Sequence, residues 1–291
     1  MDARHHTARA PLAIGMTLTL ALGVLATGAP VLAASTAAVG LGTAASYAVL
    51  AGTPKIASTG ATKVHGNLGI HPANSVTGFP PGTVSGTIHK ADAVALKAKA
   101  DLTIAYDDAS GRPSSATHTT LGGLTLVSGV YTAGGATLDL TGTLTLDAEN
   151  NPDAVWIFNA TSDLVTASGS KVNIINGGQA CNVFWQVTSS ATLGSGSTMR
   201  GTIMALSSVT MAAGVTVEGR ALARNGLVSM ISDNISVPGC VRGGVTLPAT
   251  DTIRQPEPAT VGYGIAILFL LIGAVVLRLA ISAPMLRDRR R

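Results

Sequence analysis

Three triplets decide how this chain folds: Ala191-Thr192-Leu193, Val209-Thr210-Met211 and Val228-Ser229-Met230, standing 18 and then 19 residues apart. Each has apolar ends around a hydroxyl centre. Successive side chains of a strand point to opposite faces, so the ends go inward together and the Thr or Ser goes outward. A second series runs beside the first: Ser197-Thr198-Met199, Val215-Thr216-Val217 and Ile235-Ser236-Val237. Gly201-Thr202-Ile203 likewise answers Gly219-Arg220-Ala221. A period of about 18–20 residues with three short strands is the size of one β-solenoid coil. One coil cannot bury its apolar side alone, so stacked coils make the core between them.

The repeat loosens towards the N-terminus. Leu124-Thr125-Leu126, Ala136-Thr137-Leu138, Thr143-Leu144-Thr145-Leu146 and Val155-Trp156-Ile157-Phe158 read as earlier coils with less regular spacing. Residues 34–90 mix short β-type runs with Gly and Pro turns. Between 91 and 109 the period changes. Val94, Ala98, Leu102 and Ala105 fall at helical spacing, flanked by Ala91, Ala95 and Tyr106, and Gly111 and Pro113 end the pattern. The spacing predicts one helix with a small-residue face, able to lie close against a flat partner. Lys90, Asp92, Lys97, Lys99, Asp101, Asp107 and Asp108 fall off the stripe, towards solvent.

Composition agrees with a narrow solenoid. Aromatics are 3% of the 291 residues, which excludes a core built on Phe, Tyr and Trp. Trp156, Phe158, Phe184 and Trp185 are expected to plug the interior or the helix contact. The formal charge of +4 comes from the ends. Between residues 34 and 260 there are 12 Lys and Arg against 13 Asp and Glu, a net −1, so this body lacks the basic surface of a nucleic-acid reader.

The ends read as export and tethering signals. Arg4 and Arg9, the apolar run Leu12 to Leu25 and the exit Val31-Leu32-Ala33 make residues 1–33 a signal peptide. Val261 to Leu277 carries no charge and extends to Ile281 if Arg278 snorkels, which is near a membrane span. The basic tail, residues 282–291, is expected to stay cytoplasmic and the body to face outward. The linker 241–260 contains Leu247, Pro248, Ala249 and Thr250 followed by Asp251, which resembles a Gram-positive sorting signal with Asp where Gly is usual. That resemblance implies peptidoglycan as a further partner. Cys181 and Cys240 are expected to form a disulfide in an oxidising compartment, worth about 3–4 kcal/mol in the chain-entropy model.

Catalytic patterns are absent. The six His show no ligand spacing, the carboxylates are sparse, and no nucleophile-elbow, Walker or dinucleotide motif stands in a strand–turn–helix context. The reading is a non-enzymatic monomer without metal or cofactor. The outward residues are its candidate site. Stacking at about 4.8 Å sets Thr192, Thr210 and Ser229 in one column and Thr198, Thr216 and Ser236 in another. Lys171 falls level with Thr198, and Val165 level with Thr192. Thr has few χ1 states, so such a grid of hydroxyls and methyls is stiff, as a surface that orders water into an ice-like layer requires.

Several segments carry a family resemblance. Cys181 to Leu193, Gly219 to Gly226, Gly66-Asn67-Leu68-Gly69 with Pro72, Ala98 to Leu102 with Ala105-Tyr106, and Val155 to Phe158 resemble the microbial ice-binding proteins, in the right order over about residues 40–238. The resemblance implies an all-β-dominated, right-handed triangular solenoid over residues 34–240. One long helix lies alongside, and N-terminal segments pack among later coils. It also implies ice as the partner, bound through one flat face without enzyme activity. The expected function is an extracellular, membrane-tethered ice-binding protein; the alternative is a non-ice adhesin or structural surface protein on the same scaffold.

Overall fold

The computed structural model describes residues 36–240. The predicted signal (1–33), the motif Leu247, Pro248, Ala249 and Thr250, the span 261–281 and the tail 282–291 lie outside the described residues. Among the described residues no helix is long and apolar enough to cross a membrane.

Every strand pair among the described residues is parallel and the coils present three sides. One side runs Thr125–Leu126, Thr143–Asp147, Lys171–Ile175, residues 198–200, residues 216–218, Asn234–Ser236, Lys63–His65 and Thr83–Val84. A second runs Ala116–His118, Gly129–Ala133, Trp156–Ala160, Val183–Val187, residues 202–205, residues 220–223, Tyr47–Ala51, Asn67–Ile70 and Ile88–Lys90. The third is a separate sheet of seven: Thr137–Leu140, Asp163–Thr166, Ala191–Leu193, Val209–Met211, Val228–Ile231, Lys55–Thr59 and Ser75–Thr77. The N-terminal segments thus stack on the C-terminal coils, as the resemblance implied.

The first two sides share one sheet because Thr198–Ala205 and Thr216–Ala223 run through a corner without a break, where separate triplets were expected. Glycine makes that corner. Gly201 has φ +106°, and a Cβ on Gly219 would stand 1.7 Å from the Gly201 carbonyl oxygen.

The interior is filled by inward side chains in register. Phe158 stacks on Trp185 at 4.2 Å between ring centroids and on Tyr131 at 5.5 Å. Phe184 points the other way, into a separate cluster under the helix with Leu50, Leu102, Ile157 and Leu222. Cys181 and Cys240 are bonded, with Cα atoms 6.1 Å apart.

The helix covers the second side and spans Ala93–Ser110, starting two residues later than the spacing predicted. Asp92 is the reason: its side chain accepts the Ala95 amide at 2.7 Å and caps the helix, while Ala91 sits at φ +52°. The buried stripe is Ala95, Ala98, Leu102, Ala105, Tyr106 and Ala109. Val94, placed on that stripe by spacing, is 51% exposed. Two charged residues expected in solvent are not there. Asp101 is buried and accepts the amide and hydroxyl of Thr43 and the Lys97 ammonium, which hold its carboxyl down at about 2. Lys99 donates to the carbonyls of Ala223 and Arg224, and burial pulls its ammonium down to about 7.

A further buried charge lies inside the solenoid. Asp233 is 1% exposed and accepts the amides of Val215 and Ile231, each at 2.7 Å. Burial nonetheless pushes its carboxyl up to about 6. An unfolded Asp titrates near 3.9, so the folded chain keeps a proton there that the unfolded chain has lost. Protonation therefore favours the fold as pH drops from about 6 towards about 4, and keeping the charge above pH 6 carries a penalty. Asp233 is expected to raise the melting temperature on acidification from roughly pH 7.5 to 4.5, against a smaller opposite contribution as Lys99 takes up its proton near pH 7, and Asp233→Asn to remove the Asp233 share.

Candidate functional site

The third side carries a long outward row that is uncharged over its middle coils. Its central outward column runs in register Asp139, Val165, Thr192, Thr210, Ser229, Ala57, Thr77. Thr192, Thr210, Val165 and Thr77 are exposed, and Ser229 and Ala57 half-buried. The inward neighbours on either side, such as Val209 and Met211, are fully buried. They fix the strands, and β-branching fixes the Thr rotamers above them. Ile231, level with Thr59, adds a 40% exposed apolar group beside the column. The first predicted column, Thr192, Thr210 and Ser229, is therefore one stretch of a longer row, in which these three consecutive hydroxyls are flanked by Val165 and Ala57.

Charges bound the row at its ends. Asp163 is level with Thr137 and accepts the Ser190 amide at 3.1 Å and the Ser162 hydroxyl at 2.9 Å, bonds that hold its carboxyl below the usual range. Asp139 stands at the same end, and Lys55 at the other, level with Ser75. Between them Val165, Thr192, Thr210, Ser229 and Ala57 make an uncharged patch five coils long, or about 19 Å at the usual strand spacing.

The second predicted column lies on a different side. Thr198 pairs with Thr216, but Thr216 pairs with Asn234, and Ser236 is level with Glu218. Ser236 thus does not continue the column. The triplet pattern aligned Ile235 with Val215, whereas Ile235 sits level with Val217 and the buried Asp233 takes the inward place beside Val215. A carboxylate at an inward position is invisible to an apolar pattern. This side is also charged. Its rows carry Lys171, level with Thr198, then Lys63, and an Arg200–Glu218 ion pair at 2.6 Å.

Ala57, Thr77 and Thr59 were missed because they lie before the helix, far in sequence from the coils they join. The only signal for them was the discontinuous stacking carried by the family resemblance.

Comparison with known proteins places this architecture. Residues 49–236 match the family model described as Ice-binding-like. An ice-binding protein of Nostoc sp. (strain HG1) is 44% identical over 169 residues, covering 57% of this chain and 62% of the relative. Ice-binding protein 1 of Shewanella frigidimarina is 34% identical over 200 residues, 57% of this chain and 22% of that protein. The chain thus spans less than two thirds of the length of these two relatives. Among solved structures, an ice-binding protein from an Antarctic Biological Consortium superposes with a TM-score of 0.69 at 41% identity, covering 73% of this chain and 97% of that one. One from the ascomycete Antarctomyces psychrotrophicus gives 0.66 at 36%, covering 69% and 99%. With three-sided parallel coils and the helix Ala93–Ser110 among its described residues, and a match over residues 49–236, the chain belongs to the Ice-binding-like family.

Proposed function

We propose that the body of this protein binds ice through the third side, with Thr192, Thr210 and Ser229 at the centre of the contact. The observation that carries this reading is the uncharged row of hydroxyls and methyls between Asp139 and Lys55. Charged groups hold their own hydration shells, whereas short hydroxyl and methyl groups on a rigid sheet leave the water above them free to match a lattice. The side with Lys171, Lys63, Arg200 and Glu218 lacks that property. The names of the relatives and of the structural neighbours support the same partner.

The test is partitioning into an ice hemisphere grown slowly from a solution of residues 34–250. Enrichment in the ice fraction is expected; exclusion at the level of a control protein overturns the reading. The finer part of the proposal is that the body acts outside the cell, held by the apolar stretch 261–281. Arg287, Arg289, Arg290 and Arg291 beyond that stretch support this orientation. Mass spectrometry of the protein released from cells distinguishes a membrane tether, with an intact Arg291, from transfer to the wall at Thr250.

A further inference from the structure

A groove of about 420 Å³ opens on the first side, lined by Thr143, Lys171, Val172, Asn173, Thr198 and Arg200. It lies where two neighbouring coils part. Lys171 is in register with Thr198, and the strands Lys171–Ile175 and Thr198–Ala205 share no further registered pair. Beyond that pair the Arg200 carbonyl accepts the Trp185 indole N–H, and the chain turns the corner at Gly201. The proposed ice contact, on another side, leaves this groove unused.

The polar lining is uncommitted and within reach of a solute. Thr143, Lys171 and Asn173 are exposed, and Thr198 and Arg200 half-buried. Among the described residues the side chains of Thr143, Lys171, Asn173 and Thr198 have no hydrogen-bond or ionic partner. Arg200 meets Glu218 through Nη1 at 2.6 Å, and a guanidinium has further N–H donors to offer. Lys171 and Arg200 against Glu218 leave one net positive charge at the groove. Asp147, further along this side and level with Ile175, accepts instead the Glu149 amide and the Asn176 side-chain amide. A cation is therefore repelled, and a dianion such as a phosphate monoester meets the Glu218 carboxylate. A monoanion matches the charge, and a planar carboxylate matches the guanidinium fork. Thr143, Asn173 and Thr198 each donate and accept hydrogen bonds, the pairing that ring hydroxyls require. We infer that this groove binds one uronic acid unit of an acidic polysaccharide, its carboxylate on Lys171 and Arg200 and its hydroxyls on Thr143, Asn173 and Thr198. The third side stays free, so one molecule holds an acidic polymer and ice on different sides.

The experiment follows the Asn173 side-chain amide resonances of ¹⁵N-labelled residues 34–250, which carry the whole described core and the disulfide. Glucuronate and galacturonate are titrated separately, with glucose, acetate and dimethyl phosphate as neutral, bare-carboxylate and phosphodiester probes. A saturable shift with at least one uronate is expected, with affinity about tenfold weaker in Lys171→Gln, the loss of one charge-assisted hydrogen bond. Lys171 is exposed and has no partner to lose, so that variant keeps the fold; Arg200→Gln serves if it does not. Failure of both uronates to saturate, binding of glucose, acetate or dimethyl phosphate as tight as that of the uronates, or unchanged affinity in the folded variant overturns the inference. None of these readouts depends on whether ice is bound.

Discussion

Thr210→Tyr is expected to remove most of the thermal hysteresis of the body while leaving its melting temperature unchanged. Thr210 is exposed at the middle of the uncharged row, between Thr192 and Ser229. A phenol ring there stands several ångströms above its neighbours, lifts the sheet from a flat lattice, and carries its own hydration. The substitution touches no inward residue, so the core is untouched. Thr216→Tyr is the matched control, because Thr216 faces out from the charged side, level with Thr198 and Asn234. Nanolitre osmometry on both variants decides the face. Loss in Thr216→Tyr with activity kept in Thr210→Tyr assigns the contact to the other side.

Trp185→Ala is expected to destabilise the fold by about 3–5 kcal/mol, the usual range for a fully buried large aromatic. Trp185 has no exposed surface, stacks on Phe158, and donates its indole N–H to the Arg200 carbonyl at 2.9 Å. Removing it opens a cavity in a narrow interior and takes the indole N–H away from that carbonyl. Neighbouring coils cannot close the gap, because each is pinned by ladders on both sides. Chemical denaturation of the variant against the parent measures the difference. A loss below about 1 kcal/mol would mean that the coils relax into the cavity.

The regular coils were legible because their inward residues are apolar and their spacing is constant. Ala191, Val209 and Val228 are inward at one level, and the register of Thr192, Thr210 and Ser229 follows directly. Legibility fails where a polar group faces inward. Asp233 displaced the reading of the last coil by two residues and led to Ser236 being aligned with Thr216. The helix was legible as a helix but not in detail, since Asp101 is buried and Lys99 half-buried by partners on distant elements, Thr43 and the Ala223 and Arg224 carbonyls. No local pattern encodes such partners. The N-terminal rungs Ala57 and Thr77 were illegible for the same reason, as their ladder neighbours are far along the chain.

That out-of-order stacking sets a timetable for making the molecule. Tyr47–Ala51 completes its sheet against residues 220–223, and Lys55–Thr59 against Val228–Ile231. Each of these strands has one neighbour close in sequence, Asn67–Ile70 or Ser75–Thr77, but its other edge waits for nearly the whole body to be made. Until then those edges are unpaired and open to wrong pairing. Late closure of the long-range ladders is the route this topology favours, and its high contact order makes that closure slow.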